Sequence, residues 1–186
     1  MRSGSPVTRQ RFLEEMSGPA GAAFIALALV ELQDAPLDVG NFFHGETGGF
    51  GIFSEHGVPL KAYQAFRAFH GLVETPRRVE TRGAVAGKLA FAAGLSSDGR
   101  EATMLVSNFA DRRPEIVLNW KGLAWLGGST AEIRTVDREN DFSKARTETL
   151  AGDSSALRLT LKAPAIAFIR LRPTAGAEAR GGGGGR

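Results

Sequence analysis

The chain contains no cysteine. A disulfide framework, a thiolate zinc site and a cysteine nucleophile are therefore excluded, although the compartment stays open. Histidine is scarce as well: His44, His56 and His70 are too few and too scattered for a zinc site built on histidine. No charge of one sign dominates, since 23 Lys and Arg face 20 Asp and Glu for a net charge of +3. The basic residues are dispersed as Arg77 and Arg78, Arg112 and Arg113, Arg170 and Arg172. Without a basic helix or an aromatic-interleaved stripe, no nucleic-acid partner is expected. Long apolar runs are missing too. The longest spans residues 20–30, short of the roughly 20 residues a bilayer requires, and it lacks the leading position and cleavage site of a secretory signal. No membrane partner is expected. Phosphate-binding glycine loops, nucleophile elbows, zinc helices and EF-hand loops are all absent from the sequence, so neither metal nor organic cofactor is implied.

What remains is an ordinary globular composition, with 42% hydrophobic and 23% charged residues over 186 positions. That is enough apolar chain for a real core. The pattern changes near residue 75. Before it lie helix-like segments around one expected strand. A short helix starting at Ser5-Pro6 stops at Gly18-Pro19, and a second, apolar nearly all round, runs over residues 18–33. Residues 37–43 read as a strand, residues 44–49 as a loop, and residues 60–72 as a helix. In that last helix Tyr63, Phe66 and Phe69 alternate with small Ala62, Ala65 and Ala68, which permits close backbone approach. Helix, strand, loop, helix is a fragment of alternating α/β architecture.

The second half reads as all β. Strands are expected at residues 79–82, 88–93, 102–108, 115–120, 131–136, 147–150, 156–161 and 165–171, with turns such as Ser97-Asp98-Gly99 between them. The spacing suggests a β-sandwich of about eight strands. Trp120 and Trp125 flank a turn and read as core plugs or as a sugar platform. From residue 174 the Ala-, Gly-, Glu- and Arg-rich tail cannot bury enough surface to order itself.

Two motifs in the first half point to a family. Phe43-His44-Gly45-Glu46-Thr47-Gly48-Gly49-Phe50-Gly51-Ile52-Phe53, followed by Gly57-Val58-Pro59-Leu60-Lys61-Ala62-Tyr63-Gln64-Ala65-Phe66, resembles the end of a glycosidase barrel. The resemblance is to glycoside hydrolase family 39, the β-xylosidases and α-iduronidases. There a loop of the form Phe-His-Gly-Gly-Phe-Gly-Leu follows the final barrel strand, and Gly-x-Pro-Lys-Pro-Ala-Tyr-x-Ala-Phe opens the last helix. Here Lys61 replaces the proline before Ala-Tyr, and Glu46-Thr47-Gly48 pads the loop. Ile133-Arg134-Thr135-Val136-Asp137, Asn140-Asp141-Phe142 and the closing strand at residues 166–171 are similar to that family's C-terminal sandwich.

The resemblance implies a lead-in made of the last units of a TIM (β/α)8 barrel over residues 1–75, a β-sandwich over residues 76–173 and a disordered tail over residues 174–186. A whole barrel needs roughly 250 residues, so the chain would be the C-terminal portion of a larger enzyme, or a remnant of one. Retaining glycosidases use two carboxyl groups about 5–5.5 Å apart, and in this clan they follow strands four and seven, outside this chain. Glu14-Glu15, the one early acidic pair, reads as solvated helix surface. No catalytic residue is assigned, and the chain alone is expected to be inactive. The implied partner is carbohydrate, contacted by His44, Glu46, Phe43 and Phe50. Glu46 also reads as a plain loop charge, and Phe42 and Phe43 as barrel core. A second implied partner is the missing barrel half or another copy of the chain, because a lone parallel strand between apolar helices leaves its edges uncovered. The alternative function is a non-catalytic carbohydrate-binding or structural sandwich module.

Overall fold

A computed structural model of the chain describes residues 5–42, 44–47, 50–123, 125, 128–151 and 156–174. Helix α1 (Pro6–Ser17) begins where the Ser5 hydroxyl accepts the Thr8 N–H and Pro6 presets the first turn. Gly18 ends it and also opens α2 (Pro19–Glu31), which continues as a 3-10 turn, Leu32–Asp34. The described residues among 35–60 hold no helix or strand of more than a single bridge. Helix α3 (Lys61–His70) and a second 3-10 turn, Gly71–Glu74, complete the first half.

Eight strands follow among the described residues: β1 (Arg77–Val79), β2 (Leu89–Leu95), β3 (Ala102–Asn108), β4 (Glu115–Asn119), β5 (Gly128–Val136), β6 (Asp141–Ala151), β7 (Ala156–Thr160) and β8 (Ala165–Pro173). Every expected strand of this half is present, most with ends shifted by a few residues. They form a six-stranded antiparallel sheet in the order β1-β2-β3-β8-β5-β6 and a small sheet of β4 and β7.

The large sheet is buried on both faces, so β2 and β8 read as nearly continuous apolar runs. One face carries Phe91, Val106, Ile133 and Ile169 against Ile116, Leu118, Leu157 and Leu159 of the small sheet. The small sheet, wet on its outer face, alternates buried and exposed residues along both strands. The opposite face of the large sheet presents Ala90, Ala92, Leu105, Ile166 and Phe168 to α2 and α3. Fully buried alanines on α2 (Ala22, Ala23, Ala26) and α3 (Ala62, Ala65, Ala68) let the two helices sit close to each other and to the sheet. The result is three layers, helices on a large sheet on a small sheet. Polar ties fasten the outer layer. The Ser107 hydroxyl donates to the Ala23 carbonyl at 2.7 Å, and Thr75 bonds Thr103 through their hydroxyls.

Two expectations are corrected here. Residues 37–42 form no strand. A parallel strand satisfies its backbone only through neighbouring strands, and all the strand pairing along the described residues is antiparallel apart from one isolated bridge. The apolar helix α2 is not left uncovered either, because the outer face of the sandwich buries it. The expected tail lies almost wholly outside the described residues. No single helix among the described residues is long and apolar enough to cross a membrane.

Candidate functional site

The candidate site is the segment between α2 and α3. Its closure comes from backbone geometry rather than from a sheet. Thr47 and Phe53 pair as an isolated parallel bridge, and Phe53 pairs antiparallel with Pro59. Gly51 is buried with its Cα so close to the Glu46 carbonyl that a Cβ there would stand 1.9 Å from the oxygen. Only glycine fits that approach. Beyond it the Ser54 N–H donates to the Val58 carbonyl at 2.8 Å, the Ser54 hydroxyl accepts the N–H groups of His56 and Val58, and Gly57 takes the left-handed conformation at φ +74°.

His44 is half-buried. Its Nδ1 accepts the Glu46 N–H at 3.3 Å, so a neutral ring carries its proton on Nε2. Glu46 is exposed. Phe50 is 45% exposed and rests edge-on against Phe12 of α1, ring centroids 5.8 Å apart. Phe43 lies outside the described residues. His44, Glu46 and Phe50 thus lie on one loop, and Phe50 rests against the middle of α1. Phe42 is not core: it is 41% exposed and packs edge-on against Phe66 of α3 at 5.0 Å. Asp38, Glu55 and His56 are exposed, and His70 sits in the last turn of α3. Glu14 and Glu15 lie on the exposed surface of α1, bonded to Gln10 and Arg11. No group of three or more His, Asp or Glu that could hold a metal ion occurs among the described residues.

Sequence reasoning missed Lys61. Its ammonium donates to the carbonyls of Asp137, Arg138 (3.1 Å) and Asn140 (3.0 Å) in the β5–β6 hairpin. The hairpin is preorganised for it. Asp137 Oδ1 accepts the N–H groups of Glu139 and Asn140, each at 2.8 Å, which turns the carbonyls outward. Burial pushes the Asp137 carboxyl up, but the Asn140 amide, those two N–H groups and the Lys61 charge together hold it below the ordinary range. Just beyond, Phe142 adopts φ +73°, a strained conformation for a bulky residue, and its buried ring packs on Phe168 and under the Arg67 guanidinium. Lys61 therefore fastens the sandwich to the end of the loop. The signal was a lysine where the motif holds an apolar residue.

The two tryptophans are packed rather than presented. Trp120 belongs to the sandwich core, and Trp125 is half-buried with its indole N–H on the Gly99 carbonyl at 2.7 Å.

No protein-family model matches this sequence, and no curated protein matches it. Solved glycoside hydrolases share its fold. The glucosidase from Croceicoccus marinus superposes with a TM-score of 0.69 at 18% identity, over 84% of this chain and 42% of that one. A monomeric β-xylosidase from Caulobacter crescentus CB15 gives 0.60 at 12%, over 86% and 42%. The GH39 enzyme from Xanthomonas axonopodis pv. citri gives 0.59 at 12%, over 85% and 41%. At these identities the likeness is one of fold, and this chain spans about two fifths of the length of those structures.

Proposed function

We propose that this chain is the C-terminal portion of a glycosidase of the family 39 type. In this reading residues 1–75 are the last units of a (β/α)8 barrel and residues 76–173 its accessory sandwich. The intact parent hydrolyses O-glycosidic bonds of the β-xyloside class with retention of configuration. The observation that carries the reading is the fold likeness to glucosidase and xylosidase structures across more than four fifths of the chain. The loop supports it, since it carries an imidazole, a carboxylate and an exposed aromatic ring, the groups that hydrogen-bond sugar hydroxyls and cover a pyranose face. His44, Glu46, Phe43 and Phe50 are its sugar contacts.

Retention needs two carboxyl groups about 5–5.5 Å apart. In this reading both belong to the missing barrel half, and the chain alone does not hydrolyse glycosides. That half is also the partner of the exposed apolar side chains Leu37, Val39 and Phe42. The test is turnover of an aryl β-xyloside by the purified chain. None is expected, and turnover abolished by Glu46→Gln would overturn the assignment of the catalytic pair elsewhere. Xylobiose should shift the amide resonances of residues 44–50. Shifts there lost in His44→Ala support the sugar-contacting loop, and a loop that stays silent at saturating sugar refutes it.

A further inference from the structure

A second feature lies on the far side of the large sheet from this loop. Two strands cannot cover a six-stranded face, and between the edge formed by residues 79–83 and strand β4 a cleft of about 780 Å³ opens. That volume is in the range of small-ligand sites. Its floor is apolar, with Phe91, Met104, Leu118 and Trp120 among the lining residues. Trp120 is only 8% exposed, and its indole Nε1–H is buried with no acceptor among the described residues.

The charges on the lining cancel. Glu80, Asp111 and Glu115 face Arg82, Arg113 and Lys121, three acids against three bases. Four of them are joined as neighbouring pairs, Arg82–Glu80 at 2.7 Å and Arg113–Asp111 at 2.6 Å. Such a rim offers donors and acceptors in equal measure and selects neither an anion nor a cation. Along one wall β4 pairs with β7 alone among the described residues, so its other edge adds backbone N–H and C=O groups. A ligand matched to this lining is uncharged, rich in both donors and acceptors, and apolar on its faces. Those are the properties of a sugar ring.

We infer that the cleft binds a neutral oligosaccharide, at a site separate from the loop of residues 44–60, seated on the apolar floor with the Arg113 and Lys121 side chains donating at the rim. Binding in the cleft does not depend on the barrel reading. The experiment is an amide-resonance titration of the full chain with xylohexaose, cellohexaose and an uncharged hexapeptide. Shifts at residues 80–82 and 111–121 with either sugar are expected. Arg113→Ala, on a side chain 66% exposed, is expected to weaken binding at least about twofold while leaving the fold intact. Shifts confined to residues 44–50 would overturn the cleft and leave the loop reading standing. No shifts with either sugar, or cleft shifts produced by the peptide alone, would also overturn it.

Discussion

Strand β8 and residues 37–42 make an instructive pair. Both are short and rich in apolar side chains, and both were expected as strands. In β8, Ala165, Ile166, Ala167, Phe168 and Ile169 are all buried, and the strand is bonded to β3 on one side and β5 on the other. Residues 37–42 are exposed coil, with Val39 at 72% exposure. Local preference is part of the difference, since Asp38, Gly40 and Asn41 are poor strand formers and β8 is rich in Ile and Phe. The supply of partners is the rest: β8 has two strand edges and two apolar layers to fill, and residues 37–42 have neither. A strand is a property of a sheet as much as of a segment.

The largest test of that contrast is a truncation on each side of it. Leu105, fully buried where the large sheet meets the helices, should lose about 2–5 kcal/mol on Leu105→Ala, and thermal unfolding should show helices and sheet melting together. Val39→Ala should change stability by less than about 0.5 kcal/mol. An equal loss at Val39 would mean that residues 37–42 are buried in solution, and the contrast would fail.

Lys61 joins the two regions, and breaking it sharpens the comparison. Lys61→Met should cost about 1.5–3 kcal/mol, the value of charge-assisted hydrogen bonds. Hydrogen exchange should rise at residues 137–140 and at the start of α3 together. Exchange rising on one side alone would show that the lysine does not couple them. Within the loop, Gly51→Ala forces a Cβ onto the Glu46 carbonyl and should cost roughly 1–3 kcal/mol. The exchange change should stay within residues 44–59, while the sheet amides hold their protection.

The smallest effect is electrostatic. The Arg113 side chain, then its backbone N–H, hold the Asp111 carboxyl down at about 2, against an ordinary 3.8. The folded chain therefore keeps this group charged where the unfolded chain takes up a proton. Its contribution is complete above about pH 4 and is lost as the pH falls toward 2. Asp34, held down by the Arg78 guanidinium, and Asp98, held down by the Ser96 hydroxyl, act in the same direction. The urea midpoint should be flat above pH 4 and drop below it, and Asp111→Asn should make that drop shallower. A variant whose acid limb is unchanged would assign the drop to the other aspartates.

The β half was legible because its signals are local and repeated. Alternation in β4 and β7, the Ser97-Asp98-Gly99 turn and the unbroken apolar run of β8 each carry their own assignment. The helices were legible from Ser5-Pro6, Gly18-Pro19 and the alanine spacing of α3. The candidate loop was legible only as a motif. Its residues were named, but the Gly51 approach to Glu46, the Phe12–Phe50 contact and the Lys61 cage join positions up to 79 residues apart, and no local pattern records such pairings. The cleft was hidden for the same reason, since Trp120 and Glu80 become neighbours of one space only through the packing of two sheets.

Alone, then, the order of amino acids determined that no thiol chemistry is built in, and it located the helices and the eight strands of the second half to within a few residues. Those outcomes depend on capping groups, turn residues and periodicities within a few positions of each other. Tertiary structure decided that the sandwich divides six to two, that α2 is covered by a sheet, that residues 37–42 stay unpaired, and that an open cleft remains beside β4. Each of these depends on how much apolar surface and how many strand edges are left once distant elements have met, a quantity set by the whole chain at once.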